Sequence, residues 1–127
     1  MATLQALRIG GLPNSVRLSA AQAGNGVSTN VCDTGNNTGP VALLITTAIG
    51  ATPTCTYAIE GSVDLTNWYP IPYADAGTPD TNSVATFVIT TAGLVVKYIK
   101  AGYPWRYIRL TYSANTNVTN TVDAWNF

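Results

Sequence analysis

The sequence predicts an all-β fold: an antiparallel β-sandwich, jelly-roll-like, with an extended N-terminal arm. Three observations lead there. No segment repeats apolar residues at the i, i+3, i+4, i+7 spacing of a packed helix. Several short segments instead alternate apolar and polar residues, the period of a half-buried strand. Clusters of Gly, Pro, Asn and Asp separate these segments at the intervals found in sandwiches. The 127 residues form a single domain, long enough to bury about two-thirds of the surface of its unfolded chain.

Taken in order, residues 1–8 (MATLQALR) lack the apolar core of a signal peptide, so synthesis and assembly in a cytosol are expected. Val16, Leu18 and Ala20 alternate with Arg17 and Ser19, which predicts a strand. From Ala21 to Pro40 no strand period is visible. Residues 1–38 are therefore expected to be an N-terminal arm or long loop that reaches onto a neighbouring subunit. The apolar run Val41–Thr47 reads as a strand buried on both faces. It is far too short to span a bilayer, so no membrane is expected. Cys55, Tyr57 and Ile59 face one way and Thr56, Ala58 and Glu60 the other. Trp68–Ile71 is confined to an edge by Pro70 and Pro72. Val84–Thr91, Leu94–Lys100, Trp105–Tyr112 and Val118–Trp125 complete seven or eight strands. Turns are expected at Gly50–Pro53, Asp75–Asn82, Ala92–Gly93, Ala101–Gly102 and Ser113–Asn117.

Charged residues make up 9% of the chain, against about 25% in ordinary domains. Net charge is +0. Thr, Asn, Ser and Gly take the place of the missing charge. A soluble monomer keeps itself apart with charge, so this surface is expected to be covered by neighbours. Glu60, Asp64, Asp75 and Asp80 share a stretch without Lys or Arg. Lys97, Lys100, Arg106 and Arg109 share one without Asp or Glu. Either strand pairing brings the two sets together within one fold, or an acidic and a basic face meet between subunits.

The chain contains no histidine, the commonest general base and a leading metal ligand. Ser-His-Asp and Cys-His sites are thereby excluded. Glu60 and Asp64 flank Gly61-Ser62-Val63 and read as turn carboxylates rather than a glycosidase pair. No catalytic residue, cofactor or metal site is expected. Two Cys without His do not make a zinc site. The Asx-rich segments 33–37 and 75–80 do not match a calcium loop. Cys32 and Cys55 are expected as free, buried thiols in a reducing cytosol.

One constellation stands out. Tyr98, Tyr103, Trp105 and Tyr107 interleave with Lys97, Lys100, Arg106 and Arg109. The composition suits a single-strand nucleic-acid platform. However, alternation sends half of it into the core, and a neutral domain lacks the basic footprint such binding uses. Nucleic acid is not the expected partner. Trp105, Tyr107 and Arg109 are expected on one side, opposite Ile108 and Leu110, and they are the residue types that protein interfaces enrich. The candidate interface is Trp68, Tyr69, Lys97, Lys100, Tyr103, Trp105, Tyr107 and Arg109.

Two segments carry a resemblance. Residues 60–70 (EGSVDLTNWYP) resemble the Gly-Ser-x-Asp…Trp hairpin of β-sandwich binding domains, galactose-binding-like modules included. Residues 103–119 (YPWRYIRLTYSANTNVT) resemble the penultimate strand and turn of small all-β virion structural proteins of tailed bacteriophages. Together they fall within residues 57–122. The resemblance implies a capsid decoration, or cement, protein on the virion surface. Its partners would be the major capsid protein or another virion protein, and it would act as a homo-oligomer, trimer or dimer. The alternative implied by the hairpin is a carbohydrate-binding module, with Trp68, Tyr69 or Trp105 as stacking platforms.

Overall fold

A computed structural model describes residues 5–8, 15–35, 39–102 and 104–126. Its strands are β1 (Gln5–Arg8), β2 (Ser15–Ala23), β3 (Gly26–Val27), β4 (Asn30–Asp33), β5 (Val41–Ser62), β6 (Tyr69–Pro70), β7 (Ala74–Asp75), β8 (Phe87–Ile89), β9 (Gly93–Ile99) and β10 (Tyr107–Asn126). The fold is an all-β, predominantly antiparallel sandwich, as the sequence predicts.

Two long strands build both layers. β5 and β10 run antiparallel along their whole lengths, from Val41↔Asn126 to Ser62↔Tyr107. Midway the ladder slips between Ser113 and Val118, and Thr52, Ala114 and Asn117 adopt left-handed φ values of 45°, 48° and 56°. Both strands bend there, and their halves fold onto each other. One layer contains β2, residues 118–126 of β10, residues 41–50 of β5, then β9 and β7. The other contains β1, β4 and β3 beside residues 107–113 of β10, then residues 54–62 of β5 with β6 and β8. Strands that pass from one sheet to the other through a bulge or bend are the usual way to turn a sandwich corner.

Gly50–Pro53 and Ser113–Asn117 are thus not the turns expected of them. Turn-type residues serve equally at a bend, because both need positive φ and side chains that hydrogen-bond locally. Asn117 donates from Nδ2 to the Ala51 carbonyl at 2.6 Å, and Asn115 ties Val118 and Gly24 together. A Cβ on Gly50 would stand 3.1 Å from that of Asn117, which explains the glycine where the two bends cross.

The core draws on both layers. Leu18, Leu43, Ile45, Val118 and Val122 from the first meet Cys55, Tyr57, Ile59, Ile108 and Leu110 from the second. Polar bonds cross between them. The Tyr57 hydroxyl donates to Asn120 Oδ1 at 2.5 Å, and Tyr112 shares a 2.8 Å bond with Ser19 Oγ.

The segment from Ala21 to Pro40 also departs from expectation. β2 continues to Ala23, and β3 and β4 pair with β10. Residues 15–35 therefore belong to the sandwich, not to an arm. Their strands are too short to show a period, yet Val31 and Cys32 are buried and Ser28 N–H donates to Leu110 O at 2.8 Å. β1 adds in parallel to β4. The rest of the expected arm, residues 1–4, 9–14 and 36–38, lies outside the described residues.

Candidate interaction face

The outer face of the second layer is set by register. Arg109 stands opposite Glu60 and Tyr107 opposite Ser62, while Ile108 and Leu110 point inward and are buried. Arg109 Nε donates to Glu60 Oε1 at 2.9 Å, and its guanidinium carbon lies 4.1 Å from the centre of the Trp68 ring. Trp68, Arg109 and Glu60 thus form one half-buried stack. Tyr107 lies beside it, with the Arg106 guanidinium 5.3 Å from its ring centre.

Trp105 does not join this face. The strand begins at Tyr107, and a bend at Arg106 breaks the alternation. Trp105 packs instead against the core cluster, over Gly61, where an added Cβ would come within 2.8 Å of its ring and 2.9 Å of Ile71. It plugs the end of the sandwich opposite the corner. Tyr69 lies across its outer side, with ring centres 6.0 Å apart, and is 52% exposed.

Lys97 is also misplaced by an interface reading. It is only 8% exposed and shares its face with Val95 and Ile99, opposite Leu43. Its ammonium emerges between the Phe87 and Tyr73 rings, 4.3 Å and 5.5 Å from their centres, and bonds the Asp75 carboxylate. The parity with Val95 and Ile99 was readable in the sequence. A lysine stem can line a core while its head reaches a polar partner at the margin. Lys100 is exposed, and Tyr103 lies outside the described residues.

Among the described residues, ion pairs join Arg17 to Asp123, Lys97 to Asp75, Arg106 to Asp33 and Arg109 to Glu60. Two of them connect the acidic stretch to the basic one. For these charges, strand pairing within one fold is what occurs. Sequence reasoning missed the individual partners because register decides them.

The turn after β5 is held by its own side chains. Ser62 Oγ accepts from the Asp64 and Leu65 amides at 3.2 and 3.0 Å. Asp64 Oδ1 accepts from the Thr66 and Asn67 amides at 2.9 Å each, and Asn67 Nδ2 donates to Oδ2. These donors, the Asn67 amide foremost, hold the Asp64 carboxyl well below the usual carboxylate range. Glu60 and Asp64 are thus each committed, one to Arg109 and one to the turn. Val63 and Leu65 point out of the turn, 58% and 43% exposed.

Cys32 and Cys55 are free, buried thiols, and burial pushes both upward in pKa. Cys32 is level with Gly61 through Ile108, and Cys55 lies six residues along β5. That separates them by about 20 Å at the strand rise, beyond the reach of about 7 Å that a disulfide spans. At the corner, Ala23, Gly24, Ile49, Gly50, Asn115 and Asn117 help to line an open groove of about 500 Å³. Among the described residues no three His, Cys, Asp or Glu side chains converge, and no helix is long and apolar enough to cross a membrane.

Comparisons of the chain with protein-family models, with curated proteins and with solved structures find no match.

Proposed function

We propose that the chain is a non-enzymatic virion structural protein of the capsid-decoration type, a homo-oligomer that binds the outer capsid and stabilises contacts between capsomers. The observation that carries this reading is how the surface is divided. Four ion pairs within the chain take up eight of its charged groups. Large apolar side chains are left outside: Val63, Leu65 and Tyr69 beside the aromatic face, and Val84, Val88 and Leu94 around β8 and β9. Val27 and Ile49 are exposed as well, and exposed apolar groups in such number suit contact surfaces. Apolar groups exposed on both layers suit a protein that touches more than one neighbour, where each modest contact raises the effective concentration for the next.

The carbohydrate reading needs exposed ring faces. Of its three platforms, Trp105 is turned into the end of the core, Trp68 has one face under Arg109, and only Tyr69 is broadly exposed. This is why assembly is preferred.

The test is to add purified chain to virus particles lacking it and to measure copies bound per particle. Tyr107→Ala is expected to weaken binding by about 1–3 kcal/mol while leaving the isolated fold largely intact. Absence of binding to particles, together with titratable binding to glycans that is lost in Tyr69→Ala, would replace this reading with the carbohydrate one.

A further inference from the structure

Leu65 is the residue whose placement the fold leaves unexplained. It has φ +64°, a conformation that suits glycine or asparagine and costs any branched aliphatic side chain. Among the described residues, the other non-glycine residues with positive φ are Thr52, Ala114 and Asn117 at the corner, where the bend demands it, and Ala21 at the bulge where β2 pairs with β10. Leu65 sits in an ordinary turn, where glycine would satisfy every backbone bond that the turn makes. Its side chain is not part of the core cluster and is 43% exposed, beside Val63 at 58%.

The turn is also stiff. Ser62 and Asp64 together accept four of its backbone amide hydrogens. Two aliphatic tips are therefore held out in a fixed geometry, with little ordering left to do on contact. Between them stands the Asp64 carboxylate, whose bonding partners Ser62, Thr66 and Asn67 are all neutral. The turn thus presents apolar tips around one fixed negative charge.

We propose that residues 63–65 are a docking finger that inserts into an apolar pocket of a partner protein rimmed by Lys or Arg. Charge complementarity selects that partner: a pocket rimmed by carboxylates would meet the Asp64 charge unfavourably, and an uncharged one would leave it unpaired. The proposal rests on the assembly reading above and names the part of the surface that makes the contact.

The experiment measures binding of the full chain to purified particles, across salt concentrations, for wild type, Leu65→Gly, Leu65→Asn and Asp64→Asn. Leu65→Gly and Leu65→Asn suit the left-handed backbone, so their melting temperatures are expected to be unchanged or higher. Their dissociation constants are expected to rise by about 10–30-fold. Asp64→Asn keeps an acceptor oxygen for the Thr66 and Asn67 amides. It is expected to bind more weakly at low salt and to lose part of the salt dependence shown by wild type. Binding by both Leu65 variants at wild-type strength overturns the finger while leaving the assembly reading in place. Loss of binding accompanied by a lower melting temperature in both overturns it too, by making Leu65 a packing residue. Failure of wild type to bind particles at any salt removes the assembly reading itself, and the finger with it.

Discussion

The two ends of the sandwich handle strain in opposite ways. At the corner, Thr52, Ala114 and Asn117 take up positive φ so that two strands can each serve both layers. Side chains there tie neighbouring strands together, Asn117 to Ala51 and Asn115 to Gly24. Beneath them lies a polar interior: Tyr57 on Asn120, and Tyr112 on Ser19. At the open end the interior is capped by aromatic and aliphatic groups, Trp105 and Ile71 over Gly61. Among the described residues, the strained one there, Leu65, belongs to a turn bonded within itself. Strain at the corner is repaid in topology. Strain at the open end has no return inside the chain, and this difference separates architecture from a surface kept for something else.

The contrast can be broken most forcefully at Tyr57. It is fully buried, stacked on Phe87 at 5.0 Å and edge-on to Tyr112 at 5.6 Å. Tyr57→Ala is expected to cost about 3–5 kcal/mol, and Tyr57→Phe, which orphans Asn120 Oδ1, about 1–3 kcal/mol. Equal losses in urea unfolding for the two variants would show that the ring's packing contributes little beyond its hydroxyl. At the open end, Gly61→Ala forces a Cβ onto Trp105 and Ile71 and should cost about 1–3 kcal/mol. Tryptophan emission should shift to the red as the plug loosens, while the Arg109–Glu60 pair beside Trp68 is left in place.

Alkaline pH should act through the buried tyrosines and thiols. Burial raises the Tyr112 hydroxyl to about 12, and Tyr57 moves the same way for the same reason. The unfolded state ionises first, near pH 10. The tyrosines' contribution is therefore complete below pH 10 and falls as pH climbs from there towards 12; the buried thiols Cys32 and Cys55, raised the same way, begin to cost stability earlier, from about pH 8.5. Tyr112→Phe should flatten the tyrosines' part of that decline in thermal melts. The smallest effect belongs to the open-end turn. Asp64 is held below its ordinary range, so its contribution is present above about pH 4 and fades as the pH falls further. Asp64→Asn should remove that part of the acid dependence and leave the alkaline limb unchanged.

Much of this was legible in the sequence where a strand is long enough to display its period. Cys55–Glu60 and Leu94–Lys100 alternate as they pack, and even buried Lys97 keeps parity with Val95 and Ile99; in Val16–Ala20 the alternation fails after Leu18, because a bulge against β10 buries Ser19 and leaves Ala20 exposed. The bends were not legible, because Gly50, Pro53, Asn115 and Asn117 look the same in a bend as in a reversal. β3 and β4 are too short to announce themselves. For the candidate face, period 2 placed Tyr107 and Arg109 correctly but failed for Trp105, one residue beyond the bend at Arg106. The ion pairs depend on which residues face each other across strands. Leu65 could not be found at all without its φ.

Sharing two strands between both layers also dictates when the molecule can fold. Arg17 and Asp123 pair across 106 positions of sequence, and β2, β3, β4 and β5 all pair with β10. Neither layer has its central partner until residues 107–126 have left the ribosome. Everything synthesised earlier must wait as open chain with unpaired edges, and closure then proceeds through contacts of high sequence separation, the slow kind. A charge-poor, β-prone chain that waits with open edges is exposed to pairing with other copies of itself, so fast completion of residues 107–126 protects it.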